Sequence, residues 1–430
     1  MKSHTASLAA ALAALSPLGA AIAQTQPPAQ YWMSVSTQNM TIPGVSAGEM
    51  SAMGAMLGAL GGRGAAGFAG PQRSLLLQLV APGTVAAPQA RHEIPPGQKM
   101  GDALPLRTPV SEARRAGPGR EEGGEPPEKP RGRMLFYWGC GETVRAGQPR
   151  VIDVASMSPQ DYANVFRARS APRQTPPAPR AGWTYGDWPN EERPVPVPAD
   201  SSLVGNHVVR GNYPPQIPFG LDARRDFMEP VVFTQVAGTM SDAIRLEWRA
   251  IPTATGYLMT AVGASQASGD TVFWSSSEIQ ELGWGLMDYL PTQFVRELVR
   301  ERVALAPDVT RCVIPRGIFK GIEGASLQFI AWGDELNLAH PPRPADPKAP
   351  WNPVWTVKVR LKSTGMLALS SEALEDAPGG RRRSDTAPQR AREPPPAARQ
   401  ETQKPAEPAP GDASKEVLEG VRKLRGIFGF

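Results

Sequence analysis

Three groupings of residues carry side chains able to do chemistry. Gly44-Val45-Ser46-Ala47-Gly48 has the G-x-S-x-G spacing of a nucleophile elbow. That device needs a strand before the serine and a helix after it, on a parallel sheet. Pro43 stands directly in front, and little mature chain lies upstream, so a hydrolase serine is not expected here. Asp334, Glu335 and His340 combine carboxylates with an imidazole, the donor types of zinc sites and acid–base pairs. No second histidine stands at ligand spacing and HExxH is absent, so the cluster reads as a solvated loop. Cys140 sits in Trp-Gly-Cys-Gly-Glu, and a nucleophilic role would need a base from His92, His207 or His340.

The only other cysteine is Cys312. Two cysteines exclude a four-thiolate zinc site and a disulfide-rich miniature scaffold. In an oxidising compartment they are expected to pair, tying two halves of the core. The closed loop of about 170 residues would be worth roughly 4–5 kcal/mol in the chain-entropy model. No cofactor motif is recognised, and no metal site is predicted.

Two further groups suit binding rather than catalysis. Trp183, Tyr185 and Trp188, in Gly-Trp-Thr-Tyr-Gly-Asp-Trp, read as an aromatic loop. Such rings stack on sugars, pack a partner, or cap the open end of a core. Val417, Val421, Leu424 and Phe428 recur at helical spacing over 414–430, with Lys415, Arg422, Lys423 and Arg425 around them. A helix this short is marginal alone in water, so its apolar stripe must dock on its own domain, an envelope protein or a membrane surface.

The address comes from the start of the chain. Residues 1–23 read as a secretory signal, with Lys2 before an Ala/Leu-rich run and Ala21-Ile22-Ala23 as the cleavage rule. The run is too short to span a bilayer, and no transmembrane helix is expected. The expectation is an exported protein, periplasmic or extracellular.

The chain has 430 residues and a net charge of +5, with 46 Lys and Arg against 41 Asp and Glu. Basic residues are spread out and no nucleic-acid motif is present, so nucleic acid is not an expected partner. A weak positive field suits an acidic glycan or lipid surface better than nucleic acid, while a soluble surface with a small excess of one sign is the reading favoured over either. Glycine (43) and proline (47) make up about a fifth of the chain, below the ~25–30% of a wholly low-complexity chain, so the excess sits in particular segments.

The elements that must position these residues are strands. In 24–133, strands are expected near 31–37 and 74–80, with the remainder Gly/Pro-rich and largely disordered. A first β unit is expected over 134–229, opening with Met-Leu-Phe-Tyr-Trp at 134–138, and a short helix is expected over 158–169. A second, sandwich-like unit is expected over 230–371, with strands at regular spacing and a helix near 291–302. Residues 372–413 read as a disordered linker. The predicted class is therefore mainly β: two sandwich-like units, short helices, disordered Pro-rich segments and a terminal amphipathic helix.

In Ile244-Arg245-Leu246-Glu247-Trp248 the apolar residues alternate, a turn follows at Pro252–Gly256, and Tyr257 opens the next strand. This pattern, from Val231 to Ser277, resembles the second and third strands of fibronectin type III domains. The resemblance implies a sandwich and no catalytic residues. The helix near 291–302 departs from that family.

These features favour a non-catalytic envelope or secreted protein acting as an interaction module. The alternative is a carbohydrate-binding or polysaccharide-processing protein that uses the 182–188 aromatics.

Overall fold

The computed structural model describes residues 26–46, 48–52, 54, 70–109, 132–156, 171–172, 174–190 and 195–370. The expected signal (1–23), the helix over 158–169, the linker (372–413) and the terminal helix with Val417, Val421, Leu424 and Phe428 lie outside them.

The protein is mainly β. In chain order the strands are β1 (Ala29–Thr41), β2 (Gln72–Pro82), β3 (Ala90–Glu93), β4 (Ala103–Leu106), β5 (Arg133–Trp138), β6 (Arg150–Asp153), β7 (Trp183–Trp188), β8 (Gly205–Gly211), β9 (Ile217–Leu221), β10 (Phe233–Ala237), β11 (Ile244–Trp248), β12 (Ala254–Ala264) and β13 (Thr271–Ser275). Helix α1 (Thr292–Arg300) follows, then β14 (Arg311–Ile314), β15 (Gly324–Gly333), β16 (Leu336–His340) and β17 (Trp355–Ser370).

The described residues form three sheets. The largest has ten strands in the order β6-β5-β13-β12-β15-β17-β1-β2-β7, with β16 also paired to β17. The others are β10-β11-β14 and β4-β3-β8-β9. Strands from 134–229 and from 230–371 share the large sheet: β5 pairs β13 in parallel, and β1 from the N-terminal region pairs β17 in parallel.

Alternation explains the layering. Along β17, Trp355, Val357, Val359, Leu361, Leu367 and Leu369 are buried, with polar residues between most of them. Period-2 patterning turns these side chains to one face. There they meet Tyr31, Met33 and Val35 of β1 and Leu327 and Phe329 of β15 in one core, which both small sheets complete. Phe219 of β9 lies 6.0 Å from Tyr31, and Trp248 of β11 lies 5.9 Å from Tyr257 and 5.2 Å from Phe329, ring centre to ring centre. The small sheets thus cover one face of the large one in a sandwich-like arrangement. Gly365 of β17 makes room for this contact, since a Cβ there would lie 2.8 Å from Val231 Cγ1.

On the opposite face α1 packs over β12 and β15. Its Val295 and Leu298 recur three apart and pack on Leu258, Ile330 and Trp332.

Two expectations are corrected here. Residues 90–106, within the stretch of 24–133 read as Gly/Pro-rich and largely disordered, contain β3 and β4. Four-residue strands are too short to show a period, and their hydrogen bonds come from each other and from β8. Residues 183–188, read as a loop, form β7, paired to Leu77–Pro82 of β2. Glycine and aspartate within the segment hide its strand character.

Candidate functional site

The register of three neighbouring strands builds a groove on the large sheet's outer face. Trp32 of β1 stands opposite Lys358 of β17, which stands opposite Asn337 of β16. One row along, Gln30 faces Thr356, which faces Ala339. These residues lie on the non-core side because Tyr31, Met33, Val357 and Val359 take the core side. Pro342, Arg343 and Trp351 from the β16–β17 loop complete the lining of a cavity of about 550 Å3.

Trp351 is anchored by its indole N–H, which donates to Pro341 O at 2.9 Å, and Arg343 lies over its ring at 5.6 Å. Lys358 Nζ lies 5.4 Å from the centre of the Trp32 ring and donates to Glu335 Oε2 at 2.9 Å. Gln174 and Asn337 also donate to Glu335, at 2.8 and 3.1 Å. These three donors occupy most of the carboxylate's roughly four acceptor sites.

Behind Trp32 the cations continue. Arg360 donates from Nε to Ser34 Oγ at 2.8 Å, and its guanidinium lies 5.2 Å from the Trp32 ring and 4.3 Å from that of Tyr289. It is 8% exposed, and burial pulls its pKa below the ordinary value, against the neighbouring Tyr289, Asp288 and Glu335. Among the described residues no carboxylate lies within ion-pair distance of it. Lys362 donates to Asp288 at 2.7 Å. Lys358, Arg360 and Lys362 are two residues apart, so all three leave the same side of β17.

A second groove of about 550 Å3 runs between β9 and β16, lined by Val204, Leu221, Leu336 and Leu338 with Asp222 and Arg225. Its charges are internally matched, since Arg225 bridges to Asp334 at 2.8 Å and to Asp222 at 3.8 Å.

The residues singled out for catalysis are occupied otherwise. Ser46 and Glu49 form a reciprocal cap on a helical turn: Ser46 N and Oγ donate to Glu49 Oε2 at 2.8 and 2.7 Å, and Glu49 N donates to Ser46 Oγ at 3.3 Å. Asp334 binds Arg225 and Thr292, Glu335 binds Lys358, and His340 stacks on Trp355 at 5.4 Å. Among the described residues no group of three or more His, Cys, Asp and Glu could hold a metal. Cys140 is joined to Cys312, with Cα atoms 5.2 Å apart, linking the end of β5 to β14 across two sheets. Of the aromatic segment, Trp188 and Tyr185 are 7% and 6% exposed, and Trp188 is part of the core. Trp183 is half-buried, with the Arg180 guanidinium 3.4 Å above its ring. Its rings do not form an open stacking surface.

A buried polar chain lies in the main core. Tyr31 Oη is 2.8 Å from His92 Nδ1, His92 Nε2 is 2.9 Å from His207 Nδ1, and His207 Nε2 is 2.7 Å from Leu203 O. A carbonyl only accepts, so His207 carries its proton on Nε2. His207 Nδ1 then accepts from His92 Nε2–H, and His92 Nδ1 accepts the tyrosine O–H. One backbone oxygen fixes both tautomers. The Phe219 ring stacks on both imidazoles, at 5.8 Å from His92 and 5.1 Å from His207. Burial, with the neighbouring His207, drives the His92 pKa well below the ordinary histidine value. Burial also lowers His207, against the hydrogen bond to Leu203.

Sequence reasoning missed the groove and the histidine chain. The alternation Lys358-Val359-Arg360-Leu361-Lys362 was the available signal for the groove, since it puts cations on the face away from the core. Nothing in the sequence pairs residue 92 with residue 207.

No protein-family model, curated protein or solved structure matches the chain.

Proposed function

We propose that this is an exported, non-catalytic binding module of the envelope or extracellular space, and that its groove takes a saccharide. The observation carrying the reading is the pairing of two half-buried indoles, Trp32 and Trp351, with the amides of Gln30 and Asn337 in one cavity of about 550 Å3. That volume lies within the ~300–1,000 Å3 of small-ligand sites. Indole faces suit the C–H faces of sugar rings, and amides suit their hydroxyls. The non-catalytic part is supported by the other engagements of Ser46, Cys140, Asp334 and Glu335. The exported part rests on the signal-like residues 1–23. Attachment to an envelope protein or a membrane surface through Val417, Val421, Leu424 and Phe428 belongs to the same proposal, and photo-crosslinking from Leu424 in cells tests it.

The groove is tested by screening the intact protein against a panel of immobilised polysaccharides, alongside Trp351→Ala. Binding by the wild type that falls about tenfold or more in a variant with an unchanged thermal midpoint is expected, since tenfold is about 1.4 kcal/mol and a tryptophan that anchors a binding site typically costs about 2 kcal/mol or more on truncation. Wild-type protein that binds no polysaccharide would overturn the reading.

A further inference from the structure

We infer that the groove selects anionic saccharides, with the acid group of the ligand drawn to Arg343 and Lys358. The inference rests on the saccharide reading above and adds the charge of the ligand.

The lining supplies the argument. Two cations, Arg343 and Lys358, line the cavity, and no carboxylate does. Arg343 is exposed and, among the described residues, has no ion pair. Lys358 has one acidic neighbour, Glu335, whose oxygens already accept from Gln174 and Asn337 as well. Arg360 adds a third positive charge behind Trp32, and its hydrogen bond goes to a neutral hydroxyl, Ser34. With Lys362 and its partner Asp288 counted as well, four cations stand against two carboxylates, a local excess of two. Lys358 is half-buried and Arg360 buried, so solvent screens these two less than it screens the exposed Arg343. The β9–β16 groove, of equal volume, shows the contrast, because its arginine is matched by Asp222 and Asp334.

A neutral sugar would leave this charge unanswered. A uronic acid carboxylate or a sulfate ester answers it with charge-assisted hydrogen bonds, for which the planar guanidinium of Arg343 is suited. Both acids present the same chemistry to the groove, namely fixed negative oxygens on a ring with stackable C–H faces.

The test uses the intact protein and two matched pairs of polymers: polygalacturonate with its fully methyl-esterified form, and dextran sulfate with dextran. Within at least one pair the acidic polymer is expected to bind about tenfold tighter or more, the effect of one charged hydrogen bond. Binding should weaken between 50 and 300 mM salt. Arg343→Gln should remove most of the preference, and Trp351→Ala should weaken the acidic polymer as well. Preference for polygalacturonate assigns a carboxylate, and preference for dextran sulfate alone assigns a sulfate ester. Equal, Trp351-dependent binding within both pairs would overturn the inference and leave the saccharide reading standing. Binding to neither pair nor to any panel member would end both. An acidic preference lost equally in Arg249→Gln, an exposed arginine outside the groove, would show mere attraction to a basic protein and would also overturn it.

Discussion

His92 and His207 meet nitrogen to nitrogen in the core, Nε2 of one 2.9 Å from Nδ1 of the other, and both are 0% exposed. Burial keeps the pair neutral, because a proton added to either ring would place a charge in the core with no carboxylate among its hydrogen-bond partners.

Stability is therefore expected to fall on mild acidification. Both folded pKa values are lowered, whereas an unfolded histidine titrates near 6.5. Below pH ~6.5 the unfolded chain binds more protons than the folded one, so the unfolding free energy drops as pH drops. The slope reaches about 1.4 kcal/mol per pH unit for His92, whose folded pKa lies well below the ordinary value, and His207 adds a smaller part. Urea midpoints at pH 7.5, 6.5, 5.5 and 5.0 measure it. A midpoint that stays flat from 6.5 to 5.0 contradicts the account.

Tyr31→Phe removes the hydroxyl that His92 Nδ1 accepts from and adds no volume. Leaving that buried nitrogen without a donor should cost about 1–3 kcal/mol in denaturant unfolding at pH 7.5. An unchanged stability would mean that the hydroxyl is not the donor.

Cys140→Ala with Cys312→Ala should destabilise the protein by about 3–5 kcal/mol, since the bond closes a separation of 172 residues. Thermal unfolding of the double variant checks this. Free-thiol titration of the denatured wild type should find none.

Trp188 and Trp183 separate core from surface within one strand. Trp188→Ala should cost about 3–5 kcal/mol, as for a buried aromatic. Trp183→Ala should cost about 1 kcal/mol, mainly its contact with Arg180. Similar losses at both positions would disagree with the burial seen here.

Gly365→Ala should destabilise by about 1–3 kcal/mol through overpacking against Val231. Combining it with Val231→Ala should recover part of the loss, which a double-mutant cycle would read.

The sequence made the regular strands visible where alternation ran long enough. Thr271–Ser275 and Met134–Trp138 appear close to where their apolar runs lie. Residues 292–300 form the expected helix because Val295, Leu298 and Val299 share one side. What the sequence did not carry was pairing at long range. Tyr31, His92 and His207 come from three strands far apart in the chain, and each alone reads as an ordinary residue. The groove was hidden for a related reason. Trp32 and Lys358 become neighbours only through the β1–β17 register, and Trp351 lies in a Pro-rich loop that carries no period. The segment 183–188 went the other way: its aromatics drew attention as a binding loop, yet β2 supplies a partner strand and the core takes Trp188.

The parallel pairing of the first and last described strands has a consequence for how the chain is made. Ser34 and Arg360, neighbours in that pairing, are 326 positions apart. β1 can pair β2 early in synthesis, but its other edge waits until residues 355–370 have emerged. During that wait Tyr31, Met33 and Val35 sit on a strand with an unsatisfied edge, the kind of surface that captures other chains. Such distant closure also slows folding, because the loop must be ordered before the contact rewards it. A chain cut short anywhere before β17 would thus leave its central sheet open, and a factor that shields nascent strands would act on β1 until residues 355–370 have emerged.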